Sequence, residues 1–165
     1  MPASREDLFQ RFAELNIETR TMDHAPVFTV EEAKQVHGDM PGGHCKNLFC
    51  KDEKGVLWLI VALQDSVINL KAAPAKIGSK RLTFGKPELL MEVLGVEPGS
   101  VTPFGLINDT SQRANVILDQ AMMNVPLLNF HPLKNTASTA IASKDLLTFI
   151  RSCGHAPRVV AVSDP

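Results

Sequence analysis

Nowhere in this 165-residue sequence does an apolar run approach the roughly 18 residues that a membrane-spanning helix needs. The start, MPASREDLFQRF, carries charges where a signal peptide carries its apolar stretch. Both absences point to an unexported, cytoplasmic protein with no membrane partner. Positive charge is not in excess either. Seventeen Lys and Arg face eighteen Asp and Glu, for a net charge of −1, so no global field draws the chain to nucleic acid. Any RNA contact is local: Lys71, Lys76, Lys80, Arg81 and Lys86 concentrate in one stretch and form either a phosphate-contacting patch or a solvated helix face.

Cysteine is scarce. Cys45, Cys50 and Cys153 are odd in number and two lie close together, a poor basis for a disulfide framework and consistent with a reducing compartment. The zinc pattern of two ligand pairs is missing as well, because His44, Cys45 and Cys50 have no second pair downstream. No G-x-S-x-G, H-E-x-x-H, G-x-x-x-x-G-K-[ST] or G-x-G-x-x-G occurs, which takes most of the weight from the familiar hydrolase, kinase and dinucleotide readings. Repeats and low-complexity linkers are absent too.

What is present is a globular composition, 44% apolar and 21% charged, in a length that suits one compact domain over residues 1–165. Ser4 followed by Asp7, with Leu8, Phe9, Phe12 and Leu15 at helical spacing, predicts a capped amphipathic helix of about 12 residues. IETRTMDH alternates like a strand, and APVFTVEEAKQVHG supplies a turn, a Thr29 cap and a short helix. NLFCKDEKGVLWLIVAL predicts a hairpin whose second strand is apolar on both faces, as a central strand is.

DSVINLKAAPAKIGS, capped by Asp65, and KPELLMEVLGVEPGSV, with Pro87 near its start, are helix candidates flanking a short strand in SKRLTFG. VTPFGLIND, ANVILDQ, VPLLNFHPL and STAIAS read as four short strands. A last helix starts at Ser143 with Asp145 in its first turn, and PRVVAV closes as a strand. The count is seven or eight strands and four or five helices: an α/β domain of the α+β kind with a mixed, mostly antiparallel sheet.

The chemistry is harder to read. A Cys45 nucleophile needs a lowered pKa, and Lys46, adjacent to it in an extended segment, points to the opposite face. A lysine at a strand start is most often a solvated edge charge. His131 before Pro132 suits a turn histidine as well as a functional one. Polar residues collect at strand edges: Lys46 and Asn47, Asn108 and Asp109, and Asn129, His131, Asn135 and Thr136.

Four segments, in order, change that balance. HAPVFTVEEA, KNLFCKD after a Gly-rich turn, VTPFGLIND and NFHPLKNTASTAI resemble the bacterial prolyl-tRNA editing family. They are most similar to its free-standing alanyl-tRNA(Pro) deacylases, relatives of the editing domain inserted in bacterial prolyl-tRNA synthetases and of YbaK-type deacylases. The resemblance runs from about Asp23 to the C-terminus. Cys50 departs from it mildly, standing where the family commonly has an apolar residue.

The resemblance implies a compact, YbaK-like domain with a sheet of about seven strands, partly barrel-like, flanked by helices. Its implied activity is hydrolysis, in trans and without metal or cofactor, of the ester joining alanine to tRNA(Pro), with Pro-tRNA(Pro) spared. A deacylase for cysteine or serine on tRNA, or a silent tRNA- or synthetase-binding module, is the alternative. The implied partner is the tRNA(Pro) acceptor end carrying alanine, with prolyl-tRNA synthetase or an elongation factor as a candidate beside it.

Carried over by residue, Lys46 and His131 are the catalytic candidates, His131 either as general base or as a holder of the aminoacyl end. Asn47 accompanies Lys46. Pro132, Asn135 and Thr136 belong to the substrate-loop segment, Phe104, Gly105 and Asn108 to the pocket-wall segment, and His24 to Phe28 to an upstream segment that helps close the pocket. Met22, Phe28, Phe104 and Leu128 are expected in the walls of a pocket small enough to exclude the prolyl ring. An aminoacyl ester is already activated, so positioning and charge stabilisation suffice without a covalent nucleophile.

Overall fold

A computed structural model of the chain describes residues 2–25 and 41–164. The expected turn and helix over APVFTVEEAKQVHG, and Phe28 with them, lie almost wholly outside the described residues. Among those described, eight strands and five α-helices alternate: α1 (Arg5–Glu14), β1 (Thr19–Asp23), β2 (Gly43–Asp52), β3 (Leu57–Leu63), α2 (Ala73–Ile77), β4 (Leu82–Phe84), α3 (Pro87–Leu94), β5 (Ala114–Asp119), α4 (Gln120–Met123), β6 (Leu127–Phe130), β7 (Ala137–Ala142), α5 (Ser143–Ser152) and β8 (Arg158–Val160).

The strands form one sheet in the order β1-β7-β6-β2-β3-β5-β8, with β4 added beside β2. The β1–β7, β6–β7, β2–β3 and β2–β4 pairings are antiparallel, while β2–β6, β3–β5 and β5–β8 are parallel. The α/β domain with a mixed, mostly antiparallel sheet is therefore as expected. The sheet has eight strands rather than about seven and does not close, since β1 and β8 are its two ends.

The β2–β3 hairpin organises the core. Every β3 residue from Leu57 to Ala62 is buried, so β3 has no solvent face. Leu57, Leu59 and Val61 join Phe49 in the main core, with Leu8 and Phe12 of α1, Leu90, Val93 and Leu94 of α3, and Leu146, Phe149 and Ile150 of α5. Trp58 and Ile60 point the other way, into a smaller core with Cys50, Ile77, Leu82 and Ile117. Burying each such side chain contributes about 1.5–3 kcal/mol. In α1 the predicted cap is complete: the Ser4 hydroxyl accepts from the Asp7 amide at 3.1 Å and the Asp7 carboxylate from the Ser4 amide at 2.9 Å.

Two expected elements differ. DSVINLKAAPAKIGS is helical only over Ala73–Ile77. The Asn69 side chain accepts from the Lys71 amide at 3.0 Å, forming a turn ahead of the helix, which starts at Ala73 with Pro74 in its first turn; Asp65 lies outside it. VTPFGLIND is a 3-10 helix over Pro103–Asn108 instead of a strand. Thr102 caps it by accepting from the Phe104 amide at 3.2 Å, and Gly105 permits a close approach that a side chain would block, since a Cβ there would stand 2.9 Å from the Leu94 carbonyl oxygen. This turn delivers Phe104 to the centre of the main core, edge-on to Phe12, Phe130 and Phe149 at 5.2–5.7 Å.

Candidate functional site

The site follows from how β2 is flanked. One edge of β2 pairs with β3 from Cys45 to Lys51. The other edge meets β6 only at Gly43 and His44 and β4 only from Cys50 to Asp52. Between those contacts the sheet forks, and among the described residues no strand pairs with that edge. Gly42 makes the approach to β6 feasible: its φ is +97° and a Cβ would lie 2.8 Å from the Leu127 carbonyl oxygen. The fork holds a cleft of about 60 Å³ lined by His44, Cys45, Asn47, Gln64, Asn129, Phe130, His131 and Ser138.

No thiolate nucleophile is available in it. Burial pushes the Cys45 thiol up to about 12, and the Asn129 backbone amide beside it offsets only part of that. The His131 pKa moves in the opposite direction, toward the same uncharged state. Burial lowers its pKa below the ordinary 6.5, the Ala137 carbonyl opposes the shift and nearby His24 adds to it, so the ring is neutral near pH 7. His131 Nδ1 lies 2.9 Å from the Ala137 carbonyl oxygen. A carbonyl only accepts, so Nδ1 carries the hydrogen and Nε2 presents a lone pair. His24 stands alongside with its ring centroid 6.3 Å away, its Nδ1 on the Ala25 carbonyl at 2.7 Å and its Nε2 on the Ser138 hydroxyl at 3.0 Å.

Two amide oxygens in the lining lack donors. Asn129 is only 4% exposed, and its Nδ2 donates to the carbonyls of Pro41 at 2.9 Å and Gly43 at 3.4 Å. Its Oδ1 and the Oδ1 of Asn47 are buried with no hydrogen-bond partner. Each such orphan costs about 1–3 kcal/mol, and native proteins hold few of them. The loop beyond β6 is strained as well: Leu133, a non-glycine residue, has φ +74°, at a cost of about 1–3 kcal/mol.

The model of the aminoacyl-tRNA editing domain matches residues 24–149. The chain belongs to this family. Its relatives include the prolyl-tRNA synthetase associated domain-containing protein 1 of Bos taurus, 37% identical over 161 residues and 94% of each chain. The prolyl-tRNA editing protein ProX of Acetoanaerobium sticklandii is 31% identical over 92% of this chain and 93% of its own. A solved structure described as a candidate trans-editing enzyme for prolyl tRNA synthetase covers 100% of both chains with a TM-score of 0.72 at 20% identity, a likeness of fold.

The editing domain gathers some of the residues expected from the sequence and separates others. Asn47 and His131 share the fork, with His24 beside it. Lys46 lies on the opposite side of β2 from Asn47 by strand alternation, its ammonium donates to the Ser66 carbonyl, and it does not line the cleft. Phe104 is fully buried in the main core and, with Gly105, lines none of the clefts described. Asn108 joins two elements, donating to the Leu94 carbonyl at 2.9 Å and accepting from the Ala3 amide at 2.7 Å.

Pro132, Asn135 and Thr136 line a separate cleft of about 420 Å³ between the start of α1 and the end of α3. Leu128 is fully buried in the main core, whereas Met22 is 39% exposed and borders a surface hollow. Gln64 and Ser138 were not expected in the site. Ser138 had a signal, since it and Thr139 are polar residues inside an otherwise small and apolar strand, ASTAIA. Gln64 had none, because it sits just past a strand and only the hairpin register brings it to His44, whose carbonyl accepts from the Gln64 amide at 2.8 Å.

Among the described residues no group of three His, Cys, Asp or Glu is placed to hold a metal ion, and no helix is long and apolar enough to cross a membrane.

Proposed function

We propose that this protein is a trans-acting deacylase that hydrolyses alanyl-tRNA(Pro) and spares Pro-tRNA(Pro). The observation that carries the reading is the fork cleft: about 60 Å³ in volume, polar, and holding a neutral histidine but no activated nucleophile. In this reading the cleft takes a methyl side chain and turns away a pyrrolidine ring. Steric exclusion achieves what attraction cannot, because an apolar contact separates ligands that differ by one methylene by only about 1–3 kcal/mol. His131 Nε2 is the group able to accept a hydrogen bond from an attacking water or a ribose hydroxyl, while the ester itself needs positioning more than covalent activation.

Lys46 holds the tRNA end at the rim of β2 in this reading, exchanging the Ser66 carbonyl for a ribose or phosphate oxygen. Its present engagement with Ser66 favours the second reading, a non-catalytic module that binds a tRNA end or a synthetase. The deciding experiment is release of amino acid from alanyl-, cysteinyl-, seryl- and prolyl-tRNA(Pro) by the purified protein. Fast release of alanine with Pro-tRNA(Pro) intact is expected. Release of cysteine or serine in place of alanine would change the substrate, and release of none of them faster than spontaneous hydrolysis at high protein concentration would leave only the binding module.

A further inference from the structure

Resting on the reading of Lys46 as the residue that holds the tRNA end, we propose that Asp119 is a positioning residue for that lysine, acting through the segment Val162–Asp164. Lys46 stands opposite Ala62 in the β2–β3 ladder, and its ammonium donates to the carbonyl of Ser66. Ser66 belongs to the turn that leaves β3, its amide donating to the Leu63 carbonyl at 3.0 Å. Where its carbonyl stands therefore decides where the ammonium stands. The backbone just beyond Ser66 is fixed by the Val162–Asp164 segment. Ile68 forms an isolated antiparallel bridge with Ser163, and the Asp164 amide donates to the Val67 carbonyl at 2.8 Å.

Asp119, at the end of β5, fastens this segment in turn. It is fully buried, and its Oδ1 accepts from the Ser163 amide at 3.2 Å and from the Val162 amide at 3.0 Å. The Val162 amide is shared with the Val160 carbonyl at 3.0 Å, so Ser163 depends on the carboxyl more. Lys76 of α2 supports the same segment, donating to the Val162 carbonyl at 3.4 Å and lying 3.9 Å from the Asp164 carboxylate. The other oxygen of Asp119 is buried without a partner. A carboxyl buried that way is destabilising in itself, and the two amides are what it secures.

The consequence for Lys46 is entropic. Its ammonium sits on a flexible four-carbon stem with much rotamer freedom to lose. With the Ser66 carbonyl held in place, an incoming tRNA end meets a lysine already ordered; with the turn loosened, binding itself has to order the side chain. The effect falls on affinity and leaves the chemical step alone, so it shows in KM and not in kcat.

The test measures steady-state alanine release from alanyl-tRNA(Pro) and binding of uncharged tRNA(Pro). It uses wild type, Asp119→Ala and Asp164→Pro, each also combined with Lys46→Ala. Asp164→Pro deletes only the amide that serves Val67, at an exposed position, and carries the test should Asp119→Ala not fold. KM and the Kd for tRNA(Pro) are expected to rise about tenfold in Asp119→Ala and about threefold in Asp164→Pro, within the rotamer freedom of one lysine, with kcat unchanged. In the Lys46→Ala background neither substitution should lower kcat/KM further. A merely structural role would instead lower kcat, by shrinking the folded fraction, and leave KM alone.

Unchanged KM and Kd in the folded variants, or an equal fall with and without Lys46, overturn the positioning role and leave the deacylase standing. If wild type binds tRNA(Pro) but releases no alanine above spontaneous hydrolysis, the deacylase reading falls and the Kd values alone decide the positioning role. Wild type that neither binds nor hydrolyses overturns both.

Discussion

The two ends of β2 solve the same problem in opposite ways. At the C-terminal end the strand is paired on both edges, and the buried carboxylate of Asp52 is saturated. It accepts from the amides of Lys54 at 2.9 Å and Val56 at 3.0 Å through one oxygen, and from the Trp58 indole at 3.2 Å and the Lys80 amide at 3.3 Å through the other. Burial works against its charge, but these four donors together hold its pKa below the ordinary carboxylate range. At the N-terminal end β2 parts from β6, and the buried oxygens of Asn47 and Asn129 are left without donors. One end of a single strand is built for stability. The other leaves two buried acceptors without donors in the folded chain.

Substitutions test that division. The largest effect on the fold is expected from Asp52→Ala, which strands the buried Trp58 indole and frees three part-buried amides: a loss of about 1–3 kcal/mol in chemical denaturation, with the fork intact at temperatures where the variant stays folded. The same carboxylate links stability to acid. Its folded pKa lies below its unfolded value, so its contribution is complete above the unfolded pKa near 3.8 and is lost as pH falls through the folded one. Wild type should therefore lose stability below about pH 4 more steeply than Asp52→Ala; parallel curves would show that the four contacts do not hold the charge.

At the other end, Lys46→Ala is expected to lower alanine release by about 100-fold, as loss of a positioning contact does, while the denaturation midpoint moves little. A fall in stability with activity preserved would make this lysine a structural tie to Ser66 and nothing more. For His131, an activity that depends on the Nε2 lone pair falls as the ring protonates. The acid limb of kcat/KM should then have its midpoint below the ordinary 6.5, and His131→Gln should lack that limb. A midpoint above 6.5 contradicts the burial that lowers the pKa.

The smallest expected effect is on stability in Asn47→Ala. Removing an oxygen that has no partner should leave the denaturation midpoint unchanged or slightly raised, by less than about 1 kcal/mol. A clear destabilisation would mean that the fork is structurally complete without a ligand and that the contrast between the two ends of β2 fails.

Much of the fold was legible because local periodicity and tertiary burial agreed. The hairpin across Lys51–Val56 follows from two apolar runs around a polar turn, α1 from its Ser4 cap, and α5 from Leu146, Phe149 and Ile150 at helical spacing. PFGLIN was not legible: its apolar run between turn residues suits a strand, and only the packing of Gly105 on Leu94 makes it a 3-10 helix. The site was half legible. Asn47 and His131 stood out as polar residues next to apolar strands, but Ser138 and Gln64 depend on strand register.

By itself the sequence determined which segments pair and bury, and the family to which the chain belongs, because cap residues, strand alternation and ordered motifs are local properties. Tertiary structure decided which polar groups meet. Asn47 and Asn129 are 82 residues apart, and neither residue type reveals in sequence that its oxygen will be buried without a donor. That outcome depends on how β2 and β6 are brought together at Gly43 and His44, which no local pattern encodes.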